Sequence, residues 1–181
     1  MSQKYKVRNP EALYFITITV IDWVDLISRP VYKHIIVESL QYCKINKGLI
    51  IYAYVIMPSH LHLIVQSKEP FKLEDTIRDF KKFTSKELIN AIKEYPESRR
   101  EWLLNKFTYA AGRINKGVNY KVWQDGYHPV ELTTNEMKEQ RLNYIHNNPV
   151  EEEIVINTED YKYSSATNYA YGMGVLEIEK I

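Results

Sequence analysis

The sequence lacks the features that mark secreted and membrane proteins. Cys43 is the only cysteine among the 181 residues, which excludes an internal disulfide and fits a reducing compartment. No apolar run approaches the roughly 18 residues that a membrane span requires. The first stretch, MSQKYKVRNPEALYF, contains no apolar core of the kind found in signal peptides. We therefore expect a cytoplasmic protein with no membrane partner.

Internal repeats, low-complexity segments and linker-like stretches are missing as well. The chain has 181 residues, of which 45% are hydrophobic and 26% are charged, as in ordinary globular proteins. This length suits one well-packed domain and is short for two. We predict a single domain over residues 1–181, with its core at about 13–165 and a C-terminal tail at about 161–181.

The net charge is only +1, which argues against a protein that coats nucleic acid generally. However, the charge is unevenly distributed. Residues 72–121 contain twelve Lys and Arg against seven acids, a net charge of +5. Residues 131–160 contain eight acids against two bases, a net charge of −6. The basic segment can serve a polyanion, although two solvated helical faces of opposite sign would have the same composition.

Hydrophobic periodicity predicts the element order β-α-β-β-α-β-α. The predicted strands cover residues 13–20, 49–57, 60–66 and 127–132, and the predicted helices run from about 32 to 46, 72 to 95 and 135 to 147. Residues 97–120 are harder to interpret, and we expect a short helical turn at 102–104 and a bend at 110–112. The order matches the split β-α-β pattern of a ferredoxin-like α+β fold. We predict an antiparallel sheet with helices on one face, plus a C-terminal helix and tail.

Two histidines lie in the otherwise apolar stretch IYAYVIMPSHLHLIVQ, residues 51–66. Because strand residues alternate faces, His60 and His62 are expected to share one face of the third strand. Two neighbouring imidazoles on a strand form half of a metal site, and they also suit the exposed face of a half-buried strand. The turn at residues 57–59 places them at the start of the strand, where we expect the side chains to reach open space.

The second candidate segment is RLNYIHNNPV, residues 141–150. Tyr144 and Asn148 are four residues apart, so they share one face of the last predicted helix, while His146 points to the opposite side. Taken alone, Tyr144 also suits a packing role and Asn148 a helix C-cap. We expect the helix to end before Pro149, because the residue preceding a proline avoids the helical conformation.

Together these two motifs resemble those of the HUH single-tyrosine transposases, in particular the REP-associated tyrosine transposases. Residues 57–64, MPSHLHLI, supply the element of two histidines flanking a hydrophobic residue, and residues 144–150, YIHNNPV, supply the tyrosine. The resemblance extends from about residue 14 to residue 165. The ordered pair of motifs is far more specific than either motif alone.

Two further segments resemble that branch, and one position departs from it. Trp123 and Gln124 ahead of the last strand, and the stretch YKYSS at residues 161–165, follow the family pattern. The last strand of the family often has an acidic residue followed by histidine. This chain has His128 and Pro129 there, so we carry no role over to that position.

The resemblance implies a metal-dependent transposase or endonuclease that cleaves and rejoins single-stranded DNA. Tyr144 would be the nucleophile and would leave a 5′-phosphotyrosine and a free 3′-hydroxyl, so strand transfer needs no nucleotide cofactor. His60 and His62 would hold Mg²⁺ or Mn²⁺, although imidazole also suits other divalent ions. Two histidines leave such an ion short of ligands, and Asn148 is the candidate third ligand because it shares a helix face with Tyr144.

The implied partner is single-stranded DNA, often folded into a hairpin. Arg78, Lys81 and Lys82 lie off the apolar stripe of the second helix, and we expect them to bind this DNA. The alternatives are a domesticated HUH nuclease, a catalytically silent protein that binds hairpins of single-stranded DNA, and a ferredoxin-like interaction domain. A homodimer, in which Tyr144 serves the histidines of the other subunit, is an alternative to a self-contained monomer.

Overall fold

The computed structural model describes residues 7, 9–113, 117 and 119–181. Its four strands form one antiparallel sheet. The strands are β1 (Tyr14–Thr19), β2 (Leu49–Ile56), β3 (His60–Ser67) and β4 (Val130–Glu131). The helices are α1 (Pro30–Asn46), α2 (Leu73–Glu94), α3 (Arg100–Gly112), α4 (Asn135–Glu151) and α5 (Ala166–Tyr171). No helix of the described residues is long and apolar enough to cross a membrane.

The strand order is β2-β3-β1-β4, so β1 and β3 lie side by side at the centre of the sheet. This is the order of the ferredoxin-like arrangement, and it confirms the predicted fold class. The register places Thr17 opposite His62 and Thr19 opposite His60. β1 reads YFITIT, a run of aromatic and β-branched residues with high strand preference. The candidate histidines are therefore attached to the most central pair of strands.

Both faces of β3 are covered. Leu61, Leu63 and Val65 point to the side away from the histidines and are fully buried. Helices α1 and α2 pack against each other, and α1 also packs against β2. Helix α4 packs against β2 and β3 on the histidine side, where Tyr144 contacts His62. The sheet thus separates the main helical layer from the layer that holds the candidate site.

The helical turn predicted at residues 102–104 lies within a longer helix, α3, Arg100–Gly112, and the bend predicted at 110–112 was wrong because these residues are part of the same helix. The four buried positions of α3 are Leu103, Phe107, Ala110 and Ala111, which are spaced as one face of a helix. The two alanines, which we interpreted as part of a bend, are strong helix formers that complete this face.

Helix α4 begins as predicted, since the Thr134 side chain accepts a hydrogen bond from the Met137 amide at 3.2 Å. Its predicted end was wrong, because the helix continues through Pro149 to Glu151. Proline removes one backbone donor, but the amide of Glu152 still bonds to the carbonyl of Asn148 at 3.1 Å. Asn148 is therefore inside the helix and is not its C-cap.

The last strand is shorter than predicted. Strand β4 contains only Val130 and Glu131, because Pro129 has no amide to donate and His128 has a φ of 45°. The tail has no periodic pattern, yet it is attached to the sheet. The amide of Ser165 bonds to the carbonyl of Tyr54 at 2.8 Å, and a short helix, α5, follows.

Candidate active site

His60 and His62 lie on the same face at the start of β3, as predicted, with ring centroids 4.7 Å apart. The prediction that they reach open space was wrong, because they are only 4% and 5% exposed. The Trp23 ring lies 5.2 Å from His60, while Phe15 and Tyr144 lie against His62 at 5.3 and 5.1 Å. These covering side chains come from β1, from the turn after it and from α4.

Two hydroxyl groups hold the imidazole rings at their Nδ1 atoms. Ser59 Oγ lies 3.0 Å from His60 Nδ1, and Thr17 Oγ1 lies 2.9 Å from His62 Nδ1. Thr17 reaches its partner because the antiparallel register places the two residues opposite each other. A hydrogen bond at one ring nitrogen fixes the orientation of the other, which is how histidine ligands are aimed in metal sites. This leaves Nε2 as the second nitrogen of each ring, and that of His62 lies 3.4 Å from Tyr144 Oη.

Burial is the main reason that the pKa of His62 is lowered to about 3, and repulsion from a protonated His60 and from Arg141 contributes to the same shift. Burial also lowers the pKa of His60, although Glu152 and Asn148 act in the opposite direction. Both imidazoles are therefore neutral at pH 7. The neutral ring is the form that binds a metal ion or accepts a proton.

Tyr144 projects from α4 towards the histidines, and it is 37% exposed. Its Oη lies 3.4 Å from His62 Nε2, and its ring meets Phe15 edge-on at 6.0 Å. Arg141, one turn earlier on α4, places its guanidinium 4.8 Å from the centroid of the same Phe15 ring. A cation, a phenol and an imidazole thus surround one aromatic side chain. Sequence reasoning did not single out Arg141, although its spacing from Tyr144 puts both on one helix face.

Asn148 lies one helical turn beyond Tyr144 and is 6% exposed. Its side chain lies beside His60, where a hydrogen bond from the protonated ring would partly offset the lowering of the His60 pKa by burial. Its Oδ1 is buried and has no hydrogen-bond partner among the described residues. A buried polar atom without a partner is costly, and such an atom in a folded protein commonly marks a place where a ligand is received.

The donor set therefore fits a divalent ion: two imidazole nitrogens from β3 and one amide oxygen from α4. The described residues contain no group of three or more His, Cys, Asp or Glu side chains that could hold a metal. A third protein donor at this place would therefore have to be an amide oxygen, and Asn148 is the residue predicted to supply it. Its unpaired oxygen is the feature that agrees best with the ligand prediction.

His146 lies on the other side of α4, as predicted. Its Nε2 is 2.9 Å from Ser165 Oγ, and its ring meets Tyr169 edge-on at 5.1 Å. Burial lowers the pKa of His146 to about 4, so this ring is neutral at pH 7. His146 therefore anchors the C-terminal tail to α4 and takes no part in the candidate site.

The three basic residues predicted to bind DNA do not form one free surface. Arg78 is paired with Asp75 at 2.6 Å and with Asp79 at 3.3 Å. Lys82 is exposed and makes no ion pair or hydrogen bond with another described residue. Of these two side chains, Lys82 is the more available to a phosphate.

Lys81 holds the segment that leads into β4. Its Nζ donates to the carbonyl of Gln124 at 2.7 Å and to the carbonyl of Gly126 at 2.6 Å. Burial lowers the pKa of Lys81 to about 8. These two bonds use most of its donor capacity, so the structure gives Lys81 a positioning role in this loop.

A groove of about 540 Å³ lies between α2 and residues 119–125. Its basic lining residues are Lys81, Lys82, Lys86, Lys93 and Lys121. Its one acidic lining residue, Asp125, is paired with Lys121 at 2.8 Å. The amide of Gln124 bonds to the carbonyl of Thr19, which is opposite His60. The wall of this basic groove is thus joined to the histidine end of the sheet.

The sequence profile described as "Transposase IS200 like" matches residues 14–148, which include both histidines, Tyr144 and Asn148. This match covers most of the chain, so the protein belongs to the IS200-like transposase family. A search of curated protein sequences gave no significant match.

The fold is similar to a solved structure of a REP-associated tyrosine transposase bound to a REP hairpin. The two chains share 18% identity with a TM-score of 0.62, over 100% of this chain and 95% of the other. A second structure, of a proposed transposase from Deinococcus radiodurans R1, shares 16% identity with a TM-score of 0.48. That alignment covers 81% of this chain and 97% of the other. At 18% identity, the similarity to the first structure shows that the two chains share a fold and shows nothing more.

Proposed function

We propose that this chain is a metal-dependent single-tyrosine transposase of the REP-associated branch, acting on hairpin-forming single-stranded DNA. The observation that carries the proposal is the approach of Tyr144 Oη to His62 Nε2, 3.4 Å apart, on a face that also holds the unpaired oxygen of Asn148. Family membership supports a transposase, and the hairpin bound to the structural neighbour supports the substrate.

Tyr144 is the proposed nucleophile. Its Oη forms a bond to the scissile phosphorus while the bond from phosphorus to the 3′-oxygen breaks, which leaves a 5′-phosphotyrosine and a 3′-hydroxyl. The phenol gives up one proton and the departing 3′-oxygen takes one, so the step is balanced. Attack by the 3′-hydroxyl of a second strand reverses the chemistry and frees the tyrosine. One phosphodiester is thereby exchanged for another without a nucleotide cofactor.

His60, His62 and Asn148 would hold the divalent ion. When bound, Mg²⁺ or Mn²⁺ supplies Lewis-acid polarisation of the phosphate and neutralises its charge. The Nε2 atom of His62 has one lone pair, so it can bind a cation or accept the Tyr144 proton, but not both. In the cation-binding role, His62 leaves the phenolic proton to solvent or to a phosphate oxygen.

Arg141 is proposed to bind a non-bridging oxygen of the scissile phosphate. Its guanidinium lies over Phe15, whose ring also contacts Tyr144 and His62. A fixed positive charge at this place favours binding of the phosphate and stabilises the negative charge that develops on the phosphate during the reaction.

The phosphate backbone of the substrate is proposed to follow the lysine-lined groove between α2 and residues 119–125. Lys82 and Lys86 are exposed members of this groove, and Lys82 retains its predicted role. Arg78 contributes less than predicted because Asp75 and Asp79 already pair with it.

The test of the proposed function is a covalent protein–DNA band on a denaturing gel. Hairpin-forming single-stranded oligonucleotides are incubated with Mn²⁺ or Mg²⁺ and the wild-type protein, Tyr144→Phe or the control Tyr42→Phe, which alters another exposed tyrosine. We expect the band in wild type and in the control, and none in Tyr144→Phe, because only this hydroxyl is the nucleophile. An undiminished band in Tyr144→Phe would assign the chemistry to another tyrosine.

Two alternatives are separated by the same assay. A catalytically silent hairpin-binding protein would bind the DNA and give no covalent band in wild type. A domesticated nuclease would give the band but would not transfer the strand to an added 3′-hydroxyl acceptor. Size-exclusion chromatography and mixing of Tyr144→Phe with His62→Ala test the homodimer, since recovered activity in the mixture requires Tyr144 and His62 to come from different subunits.

A further inference from the structure

Trp23 is 60% exposed although it lies directly beside the buried histidines. Its ring meets His60 edge-on at a centroid distance of 5.2 Å. The series continues from His60 to His62 at 4.7 Å and from His62 to Tyr144 at 5.1 Å. Four rings thus follow one another across the candidate site, with the proposed nucleophile at one end and an exposed indole at the other.

The backbone that presents this indole is itself unfavourable. Asp22 and Trp23 have φ values of 50° and 56°, in the left-handed region that non-glycine residues avoid. The turn is held by a hydrogen bond from the Trp23 amide to the Val20 carbonyl at 3.1 Å and by an ion pair between Asp22 and Lys106 at 2.9 Å. Strained backbone of this kind persists where the surrounding structure fixes it, and it concentrates at functional sites.

We propose that Trp23 is a stacking platform for an unpaired nucleobase next to the scissile phosphate. The inference rests on the proposed function, which places that phosphate between Tyr144 and the two histidines. A strand held there must continue past one end of the site, and the indole lies on the far side of His60 from Tyr144. An exposed ring at that end offers a flat apolar surface to the neighbouring base.

This platform would select single strands without selecting a base. Every nucleobase has an aromatic face, so a tryptophan can stack on any of the four bases. In a duplex both faces of the base are covered by its neighbours, and stacking would require it to leave the helix at a cost of a few kcal/mol. The chemistry of the ligand is therefore an unpaired base attached to the DNA strand that enters the site.

The competing role for Trp23 is a lid that shields His60 from water. A lid affects His60 whatever DNA is present, whereas a platform acts through one particular base. The two roles therefore separate when the base, rather than the protein, is removed.

The first measurement is the affinity for a fluorescently labelled single-stranded oligonucleotide in EDTA, where no cleavage occurs. We expect Trp23→Ala to bind about 5- to 30-fold more weakly, the lower part of the range for base–aromatic stacking. Trp23→Phe should recover most of the affinity because it restores an aromatic face. Trp102→Ala is the matched control, since this tryptophan is 50% exposed on α3. A melting curve for each variant checks that it folds.

The second measurement repeats the titration with an abasic residue at each position around the cleavage point. For the wild-type protein, an abasic residue at one position should weaken binding. For Trp23→Ala, an abasic residue at that same position should cause no further loss of affinity. Equal losses in both proteins at every position, or wild-type affinity in Trp23→Ala, would overturn the platform. A wild-type protein that forms no covalent adduct with Mn²⁺ would instead count against the proposed cleavage, so the two failures are distinguishable.

Discussion

Acid should destabilise the wild-type protein more than it destabilises the variant His62→Gln. Burial lowers the pKa of His62 to about 3 in the folded protein, whereas histidine in an unfolded chain titrates near its ordinary value of 6.5. Between these two pH values, His62 is therefore protonated in the unfolded chain and neutral in the folded protein. The stability that depends on the neutral ring is fully present above pH 6.5 and is lost progressively as the pH falls towards 3.

The magnitude follows from the two pKa values. Over the whole interval the loss approaches about 5 kcal/mol, and between pH 7 and pH 5 it is about 2 kcal/mol. Glutamine removes the titration while keeping a polar side chain that can still bond to Thr17. Other buried histidines, such as His146, remain in both proteins, so their contribution largely cancels in the comparison.

The assay is urea unfolding in EDTA at pH 7 and pH 5, followed by circular dichroism. The free energy of unfolding of wild type should fall by about 2 kcal/mol more than that of His62→Gln over this interval. The lower absolute stability of the variant does not matter, since only its change with pH is compared. Equal losses in the two proteins would show that His62 takes up protons readily in the folded state. The inference that His62 is neutral in the folded protein, and so can bind a metal ion, would then be wrong.

Two further predictions concern the ligand set and the groove. Asn148→Ala removes the proposed third ligand, so its Mn²⁺ affinity measured by calorimetry should fall by about tenfold or more, and a melting curve in EDTA checks that the variant folds. Parental Mn²⁺ affinity would reject Asn148 as a ligand. The double variant Lys82→Ala/Lys86→Ala should bind single-stranded DNA more weakly. The slope of log binding constant against log salt concentration should become flatter by about 1.4, and Arg78→Ala should change this slope less. An unchanged slope in the double variant would place the contacts to the DNA backbone elsewhere.

The sequence predicted the parts of the fold that depend on local periodicity. The apolar and β-branched runs of β1, β2 and β3 define their strands, and the alternation along β3 puts His60 and His62 on one face. The spacing of Tyr144 and Asn148 on a helix is likewise a local property. Local patterns of this kind survive folding because the tertiary structure reinforces them.

The burial of the histidines could not be predicted in this way. Their cover comes from Phe15, Trp23 and Tyr144, which are distant from the histidines in sequence and reach them only when β1, its following turn and α4 surround β3. The same limit applies to the basic residues. Spacing placed Lys81 off the apolar stripe, but only the tertiary structure shows that its ammonium group is bonded to the loop before β4.

The continuation of α4 through Pro149 determines whether the candidate ligand is in place. A helix ending at residue 147 would turn Asn148 into a cap, with its side chain bonded to the backbone. In the folded protein the helix continues to Glu151, so Asn148 keeps the helical spacing that carries its amide towards His60 while Tyr144 faces His62. The register of β3 matters in the same way, because a slip of one residue would turn both histidines to the opposite face. The proposed chemistry therefore depends on two features of the core: the pairing of β1 with β3 and the uninterrupted helix that packs on it.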